Sequence, residues 1–380
     1  MQKVDSDPAF TALDSPRGLT ACIFGAGSIG CHVAFCLQKA GVETYIVARG
    51  DNLKALQNNG LHINICGEKH HTYNIHAVAD AAEIGKPVDY LFLTVKTYSL
   101  SSIVDKVSPV IGPDTTILPP TTSLPFWWFH KMGSDLGGLD PEAVAQFNDL
   151  VDPGQQLANV LPPDQCIGFT MWLSAVQEGP GRVHVKHVQR GYPIGELDGK
   201  PSARVTRLCD ALEAGGIMAP RGLNIRSEIF IKAVNSLCFN TVAVLTGAVN
   251  GLIADDSDAP AVIKTMMLEL EQLAGAMELP VLQSADARIK QTLASRAHTM
   301  SMLHDMKIGK PLEANDLWIS FQALAEVTGI SLPVSKSLIG LIRLRSRVAL
   351  QELPEPELAF SSKQSVTNID SVTAQGAAKF

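Results

Sequence analysis

The chain has 380 residues, of which 46% are hydrophobic and 18% charged. That composition suits a large buried core and excludes an extended disordered protein, and the length suggests two domains. The 38 acidic and 31 basic side chains leave a net charge of -7, which gives no general attraction for polyanions. We therefore predict no nucleic-acid partner and no membrane partner, and any bound phosphate must be held by local groups.

The cysteines and the two ends of the chain bear on the cellular compartment. Seven cysteines are scattered without a CxxC pair, which favours reduced thiols over a disulfide framework or a metal site. Residues 1–18 lack the apolar run of a signal peptide and are predicted to be a flexible leader. Residues 354–380 are rich in Ser, Thr, Gln and Ala and are predicted to be a disordered tail. The prediction is a cytoplasmic protein without a metal.

The first half of the chain alternates strand and helix patterns. An apolar run from residue 19, a glycine turn, a helical pattern over 28–40 and a second apolar run ending at Arg49 predict a βαβ unit. Further strands are predicted at 61–65, 71–78, 89–96, 115–120, 166–176 and 181–188, with helices over 52–58 and 202–214 and an irregular segment over 126–164. This order predicts an α/β Rossmann-type domain over 19–222, with an open and mostly parallel sheet.

Beyond residue 222, long helical patterns replace the strand patterns. They cover 227–245, 259–277, 282–297, 313–328 and 334–349. Strands first and helices afterwards favour two separate domains. The second is predicted to be an all-α domain over 223–353.

A glycine-rich turn with GxGxxG spacing joins the first strand to the first helix. In such a turn the first glycine permits the sharp bend, the second lets a pyrophosphate approach the backbone, and the third lets helix and strand pack closely. The helix N-terminus favours an anion at the same place. The turn predicts dinucleotide binding by Gly25, Ala26, Gly27, Ser28, Ile29 and Gly30, with a ligand-free glycine turn as the alternative.

Two cations near the ends of predicted strands are candidate cofactor ligands. NAD enzymes usually have an acidic residue at the end of the second strand, but this chain has Arg49. Because a guanidinium pairs with a 2′-phosphate, we predict NADPH/NADP+ over NAD. Lys96 ends the apolar run 89–96 and so lies at the carboxyl end of a predicted central strand. Folds of this class bind ligands beyond the carboxyl ends of their strands. The alternatives are an exposed loop arginine and a lysine that extends into solvent from a strand end.

A polar stripe interrupts the apolar helix predicted over 227–245. Lys232, Ser236 and Asn240 are four residues apart and therefore share one face. Such a stripe is costly unless it lines a polar cavity, and a desolvated lysine has a lowered pKa that suits a general acid near neutral pH. The alternative is a lysine partly exposed between the domains, with Asn240 bonded to a neighbouring backbone. Glu313, at the start of a predicted helix, would by itself be only a carboxylate favoured by the helix dipole.

Ordered motifs over residues 19–333 resemble those of the ketopantoate reductases (2-dehydropantoate 2-reductases). The matching strings are GAGSIG at 25–30, VAR at 47–49, LTVKTY at 93–98, DPG at 152–154, IGEL at 194–197, IRSEIFIKAVNSLCFN at 225–240 and SMLHDMKIGKPLE at 301–313. The resemblance implies a Rossmann domain that binds NADPH, a helical domain that completes the cleft, and reduction of a 2-oxo acid to the 2-hydroxy acid.

The resemblance also implies roles for individual residues. Lys232 would be the general acid that protonates the developing alkoxide, and Glu313 would orient that lysine, the substrate hydroxyl and the cofactor. Asn240 and Ser301 would bind the substrate, Ser301 through its carboxylate. The cofactor would supply the chemistry, and the protein would orient it and stabilise charge.

Two positions depart from the family pattern. Thr122 stands where the family usually has an asparagine that contacts cofactor and substrate, and Ser236 stands where an asparagine usually follows the lysine by four residues. Each replaces a two-sided amide with a short hydroxyl, and such changes can alter substrate selection strongly. The family resemblance predicts 2-dehydropantoate as the substrate. Because of these two departures, the first alternative is a paralogue that acts on another oxo or hydroxy acid, and the second is a non-catalytic NADP-binding protein. A homodimer is left open.

Overall fold

The computed structural model describes residues 18–132 and 138–350. The predicted tail, and the predicted leader apart from Gly18, lie outside the described residues. The strands are β1 (Thr20–Phe24), β2 (Glu43–Val47), β3 (Leu61–Ile65), β4 (Glu68–Thr72), β5 (His76–Val78), β6 (Tyr90–Leu93), β7 (Thr116–Leu118), β8 (Gly168–Phe169), β9 (Trp172–Gly179), β10 (Arg182–Gly191) and β11 (Ile194–Gly195).

The helices fall into two groups along the chain. Those associated with the sheets are α1 (Ser28–Lys39), α2 (Gly50–Asn59), α3 (Leu100–Val107), α4 (Pro141–Val151), α5 (Gln156–Val160) and α6 (Ala203–Ala214). Seven more follow without an intervening strand: α7 (Ile225–Thr246), α8 (Asn250–Asp255), α9 (Ala259–Ala276), α10 (Ala285–Leu293), α11 (Ser301–Lys307), α12 (Ala314–Thr328) and α13 (Pro333–Ala349).

The main sheet has the order β5-β2-β1-β6-β7, and all of its strand pairs are parallel. Both faces are covered, so the inner strand β6, which lies between β1 and β7, is buried along its whole length. The parallel sheet with its helices and the all-helical second half confirm the predicted fold class. The boundaries drawn at residues 222 and 353 stay predictions.

A second sheet contains two of the runs that the sequence pattern assigned to the parallel sheet. Its order is β4-β3-β10-β9, and β3 and β4 form an antiparallel hairpin. The hairpin loop is Cys66 and Gly67, both at positive φ (51° and 101°), as a two-residue primed turn requires. The run predicted over 71–78 is thus divided between two sheets, because β4 ends at Thr72 and β5 begins at His76.

Helix α7 is the central helix of the second half. Its N-cap is Asn224, whose side chain accepts from the Ser227 N–H at 3.2 Å, and Gly247 ends it in the left-handed conformation (φ 73°). Among the described helices, α7 is the one long and apolar enough to cross a membrane, and most of it is buried in the protein. Such burial is what a core helix requires, so its apolar length has a structural explanation.

Arg226, in the first turn of α7, joins three segments of the fold. Its guanidinium donates to the carbonyls of Trp128, Leu197 and His130. The irregular segment that follows β7 is therefore fixed to the start of α7. Trp127 and Trp128 of this segment are fully buried core residues, and Trp128 lies 6.5 Å from Phe230 between ring centroids.

Candidate active site

The glycine turn is shaped by the close approach of α1 and β6. Gly25 has φ +116°, and a Cβ there would lie 3.1 Å from the Thr94 backbone. The Thr94 hydroxyl donates to the Gly25 carbonyl at 2.8 Å. A Cβ at Gly30 would lie only 1.9 Å from that same carbonyl oxygen. The first and third glycines are thus required for packing.

The second glycine of the turn meets no such crowding. Gly27 is the N-cap of α1 in extended conformation, and a Cβ there would meet no atom within 4 Å. No side chain caps α1 and its first turn has no acidic residue within the described part of the chain. The N-terminus of α1 therefore presents N–H groups and a positive dipole to open space, and this arrangement fits a pyrophosphate.

Asn52 supports the turn, although the sequence analysis did not single it out as a site residue. Its Nδ2 donates to the Ala26 carbonyl at 2.5 Å, and its Oδ1 accepts from the Gly181 N–H at 2.7 Å. The amide thus joins the glycine turn to the loop between β9 and β10. Its signal in the sequence was weak because both partners are far along the chain.

Arg49 lies where a 2′-phosphate ligand is expected. It is the N-cap of α2 and is exposed, and its guanidinium forms no hydrogen bond or ion pair with another residue that the structure describes. Lys54, one turn into α2, is 3.9 Å from the Asp51 carboxylate. The cation of Arg49 is therefore available to a ligand, and its role stays a prediction.

Lys96 connects the edge of the main sheet to the helical half. Its ammonium is 2.8 Å from both the Asp305 and the Glu313 carboxylates. The second Glu313 oxygen accepts from the Thr97 N–H at 3.2 Å, and the Thr97 hydroxyl donates to Asp316 at 2.8 Å. Burial acts to lower the pKa of Lys96, but Glu313 and Asp305 outweigh it and raise that pKa above its usual range. Lys96 is thus a fixed cation, and Asp305 is a partner that sequence reasoning missed.

Lys232 has a very different environment. Its ammonium lies 4.8 Å from the centroid of the Trp172 ring and forms no ion pair with any carboxylate of the described chain. Burial lowers the pKa of Lys232 to about 8. A lysine with that pKa can give up a proton near neutral pH, as a general acid must. The described contacts join Glu313 to Lys96 rather than to Lys232, so the orienting role predicted for Glu313 stays a prediction.

Three of the predicted substrate ligands lie together where α7 meets α11. Asn240 Oδ1 accepts from the Met302 N–H at 2.8 Å, and its Nδ2 donates to the Ser236 carbonyl at 2.8 Å. The amide therefore holds the first turn of α11, where Ser301 is exposed. Asp305 lies one turn further along α11, so this group adjoins the Lys96 cluster.

Thr122 lies just after β7 and is half-buried. The neighbouring Thr121 hydroxyl is occupied with the Phe169 carbonyl. The described hydrogen bonds do not join Thr122 to the other candidate residues, and its contact with cofactor and substrate stays a prediction.

A parallel sheet, with a glycine turn at the carboxyl ends of its strands, thus faces a helical half that carries a desolvated lysine. Two models of the ketopantoate reductase PanE/ApbA family match the chain, the first over residues 21–120 and the C-terminal one over 224–346. The chain belongs to the ketopantoate reductase family.

Individual relatives agree with this assignment. The chain is 33% identical over 323 residues to a 2-dehydropantoate 2-reductase of Mesorhizobium japonicum, a match covering 84% of this chain and 96% of the relative. It superimposes with a TM-score of 0.76 and 29% identity on a candidate ketopantoate reductase of Ralstonia solanacearum, covering 87% of this chain and 99% of that one. A D-mandelate dehydrogenase crystallised with NADH and anilino(oxo)acetate shares the fold at 18% identity and a TM-score of 0.70, covering 87% and 99% of the two chains. The homologues support an oxidoreductase that acts on CH–OH groups, an oxo acid substrate and a nicotinamide cofactor.

The two glycines of the turn should respond differently to alanine. Gly27→Ala should leave the melting temperature nearly unchanged, because the new methyl group meets no protein atom, yet weaken cofactor binding by roughly 10-fold or more, because it occupies the space for the pyrophosphate. Gly30→Ala should lower the melting temperature itself, because the methyl group overlaps the Gly25 carbonyl. Thermal melts measure the stability of both variants, and fluorescence titration with NADPH and NADH measures their cofactor affinity. Unchanged cofactor affinity in the Gly27 variant would contradict a role for the turn in cofactor binding.

Proposed function

We propose that the protein reduces a 2-oxo acid, 2-dehydropantoate in the first instance, to the 2-hydroxy acid with NADPH, and that Lys232 is the general acid. The observation that carries the proposal is a partly buried ammonium without a carboxylate partner among the described residues, with a pKa lowered to about 8. It lies on the helix whose Asn240 holds Ser301 in place. The names of relatives that match nearly their whole length support the substrate class.

The residues of this chain divide the work of the reaction. The N–H groups at the start of α1 hold the pyrophosphate, and Arg49 pairs with the 2′-phosphate. The reduced nicotinamide, when bound, supplies the hydride that reaches the keto carbon. Lys232 donates its proton to the carbonyl oxygen as negative charge develops there, and leaves the reaction neutral. Because the Lys232 side chain is partly buried, access of water that could accept the same proton is limited.

A fixed positive charge assists at the sheet edge. Lys96 stays protonated because two carboxylates face it, and it lies two residues beyond Thr94, which contacts the glycine turn. It is suited to binding and orienting cofactor at that edge rather than to moving a proton. Ser301, exposed at the start of α11, is suited to donate a hydrogen bond to the substrate carboxylate.

A related oxo acid is the second candidate substrate. Thr122 and Ser236 offer hydroxyl groups in place of longer amides, which changes the hydrogen bonds available to the substrate hydroxyl. The fold does not decide the matter, since it is also found in a D-mandelate dehydrogenase. Selection between the two acids therefore depends on the local contacts at these positions.

The substrate is tested by NADPH oxidation with 2-dehydropantoate against a panel of aliphatic and aromatic 2-oxo acids and 3-oxo acids. We expect the highest kcat/KM with 2-dehydropantoate. Turnover of another oxo acid with none of 2-dehydropantoate would establish the second candidate. NADPH binding without turnover of any acid in the panel would contradict the proposed enzyme activity.

Arg49→Gln should raise the KM for NADPH about 10–100-fold and leave the KM for NADH within about twofold, because a charged hydrogen-bonded pair with the 2′-phosphate is lost. Lys54→Gln is the matched control, since Lys54 is a nearby exposed cation that already faces Asp51. Steady-state kinetics with both nucleotides provide the readout. Equal effects of the Arg49 change on NADPH and NADH would contradict the assignment.

Lys232→Ala should lower kcat by roughly 10²–10⁴-fold, the usual size of a general-acid contribution, while NADPH still binds. In the unmodified enzyme kcat/KM for reduction should fall above about pH 8, because the neutral amine has no proton to donate. Lys106→Ala, on the exposed surface of α3, is the control. Near-normal turnover by the Lys232 variant would exclude this lysine from the mechanism.

A further inference from the structure

The immediate surroundings of Lys232 contain an aromatic ring that neither the motifs nor the family models mark. Trp172, the first residue of β9, places its ring centroid 4.8 Å from the Lys232 ammonium. That distance is well within the range over which the face of an indole attracts a cation. The attraction is strengthened where water is excluded, and burial is what lowers the pKa of this lysine.

The ring itself is positioned by an ion pair with helix α7. Arg190, on β10, lies 5.7 Å from the Trp172 centroid, and its guanidinium is 2.7 Å from the Glu228 carboxylate. Glu228 is buried and lies on α7 one turn before Lys232. Residue 191 pairs directly with Trp172 across the β9–β10 ladder. The strand that carries the ring is therefore fixed to the helix that carries the ammonium.

No side-chain hydrogen bond among the described residues fixes this ring. The Trp172 Nε1 is buried and has no hydrogen-bond partner among the described residues. The nearby carboxylate of Glu228 is paired with Arg190 rather than with Lys232. Among the described contacts of the Lys232 ammonium, the indole face is thus the one that favours its charged form.

From this geometry we propose that Trp172 is a positioning residue for the reaction: its indole face holds the Lys232 ammonium in the charged state and in a fixed place, and the Arg190–Glu228 ion pair holds the indole. The inference rests on the proposed function of Lys232 as general acid. It adds a residue from the second sheet to a site otherwise built from the glycine turn and the helical half.

The other titratable groups near Lys232 do not compensate its charge. Arg190 on β10 is a cation but is compensated by Glu228 on α7. His298, which precedes α11, lies 3.5 Å from the Ser174 hydroxyl, and burial first and the charges of Lys232 and Lys186 second lower its pKa. It is therefore neutral at the pH of interest and offers the ammonium no compensating charge. Loss of the indole would remove an interaction that stabilises the charged form of Lys232. Desolvation would then lower the pKa of this lysine further.

The test compares replacements of Trp172 that lack an aromatic ring with one that keeps an aromatic ring. Trp172→Leu should move the midpoint of the alkaline fall in kcat/KM downward by about half a unit to one unit, because the charged lysine loses its cation–π partner. Trp172→Phe retains an aromatic face and should restore most of the unmodified profile. Trp172→Met fills the volume without a ring and gives the same test should the leucine variant not fold.

A second readout does not depend on turnover. Competitive acetylation of the holoenzyme with acetic anhydride over a pH range, followed by peptide mass spectrometry, gives the titration midpoint of Lys232 itself. The midpoint should fall in the leucine or methionine variant and hold in the phenylalanine variant. Phe147→Leu, a loss of buried aromatic packing in α4, is the control for destabilisation and should leave the midpoint unchanged.

A folded, NADPH-binding leucine or methionine variant with an unchanged or raised Lys232 midpoint would overturn the positioning role. That result is distinct from failure of the proposed function, which Lys232→Ala reports through its turnover. The labelling midpoint can therefore be interpreted whichever way the Lys232→Ala experiment falls.

Discussion

The ion pairs of Lys96 with Asp305 and Glu313 set the relation between the sheet edge and the helical half. Lys96 belongs to a short stretch that follows β6. In the same stretch, the Thr94 hydroxyl donates to the Gly25 carbonyl of the glycine turn. One stretch of backbone thus touches the glycine turn on one side and α11 and α12 on the other. Because Asp305 shares α11 with Ser301, the spacing between the glycine turn and Ser301 depends on these pairs.

The same side-chain type has two opposite roles in this site. Lys96 and Lys232 are both partly buried, and burial disfavours the charge of each. Carboxylates from the helical half more than compensate Lys96, whereas the described residues offer the Lys232 ammonium the face of an indole and no carboxylate. The pKa of Lys96 is consequently raised, whereas that of Lys232 is lowered to about 8. The placement of acidic residues, rather than of lysines, accounts for this difference in pKa.

The sequence predicted those parts of the fold whose cause is local. The βαβ unit, the glycine turn, the long helices and the candidate lysines all follow from periodicity, spacing or family motifs over short stretches. The partners of those residues could not be predicted in this way. Asp305 is 209 residues from Lys96, and Gly181 is 129 residues from Asn52, so each contact depends on the tertiary fold. Helix α11 was not predicted as a helix either, since it has only 7 residues and its N-terminus is held by Asn240 from α7.

The β9–β10 hairpin shows what the parallel-sheet prediction missed about the site. Its turn, at Gly181, is hydrogen-bonded through Asn52 to the glycine turn, and its base carries Trp172 and Arg190 to α7. The hairpin therefore spans from the glycine turn to Lys232. A parallel sheet alone would leave Lys232 open to water. The helices that pack on such a sheet cover its two faces but not the carboxyl ends of its strands, where ligands bind. The second sheet brings the Trp172 ring against the Lys232 ammonium, and burial of this kind lowers the pKa of a lysine toward neutral pH.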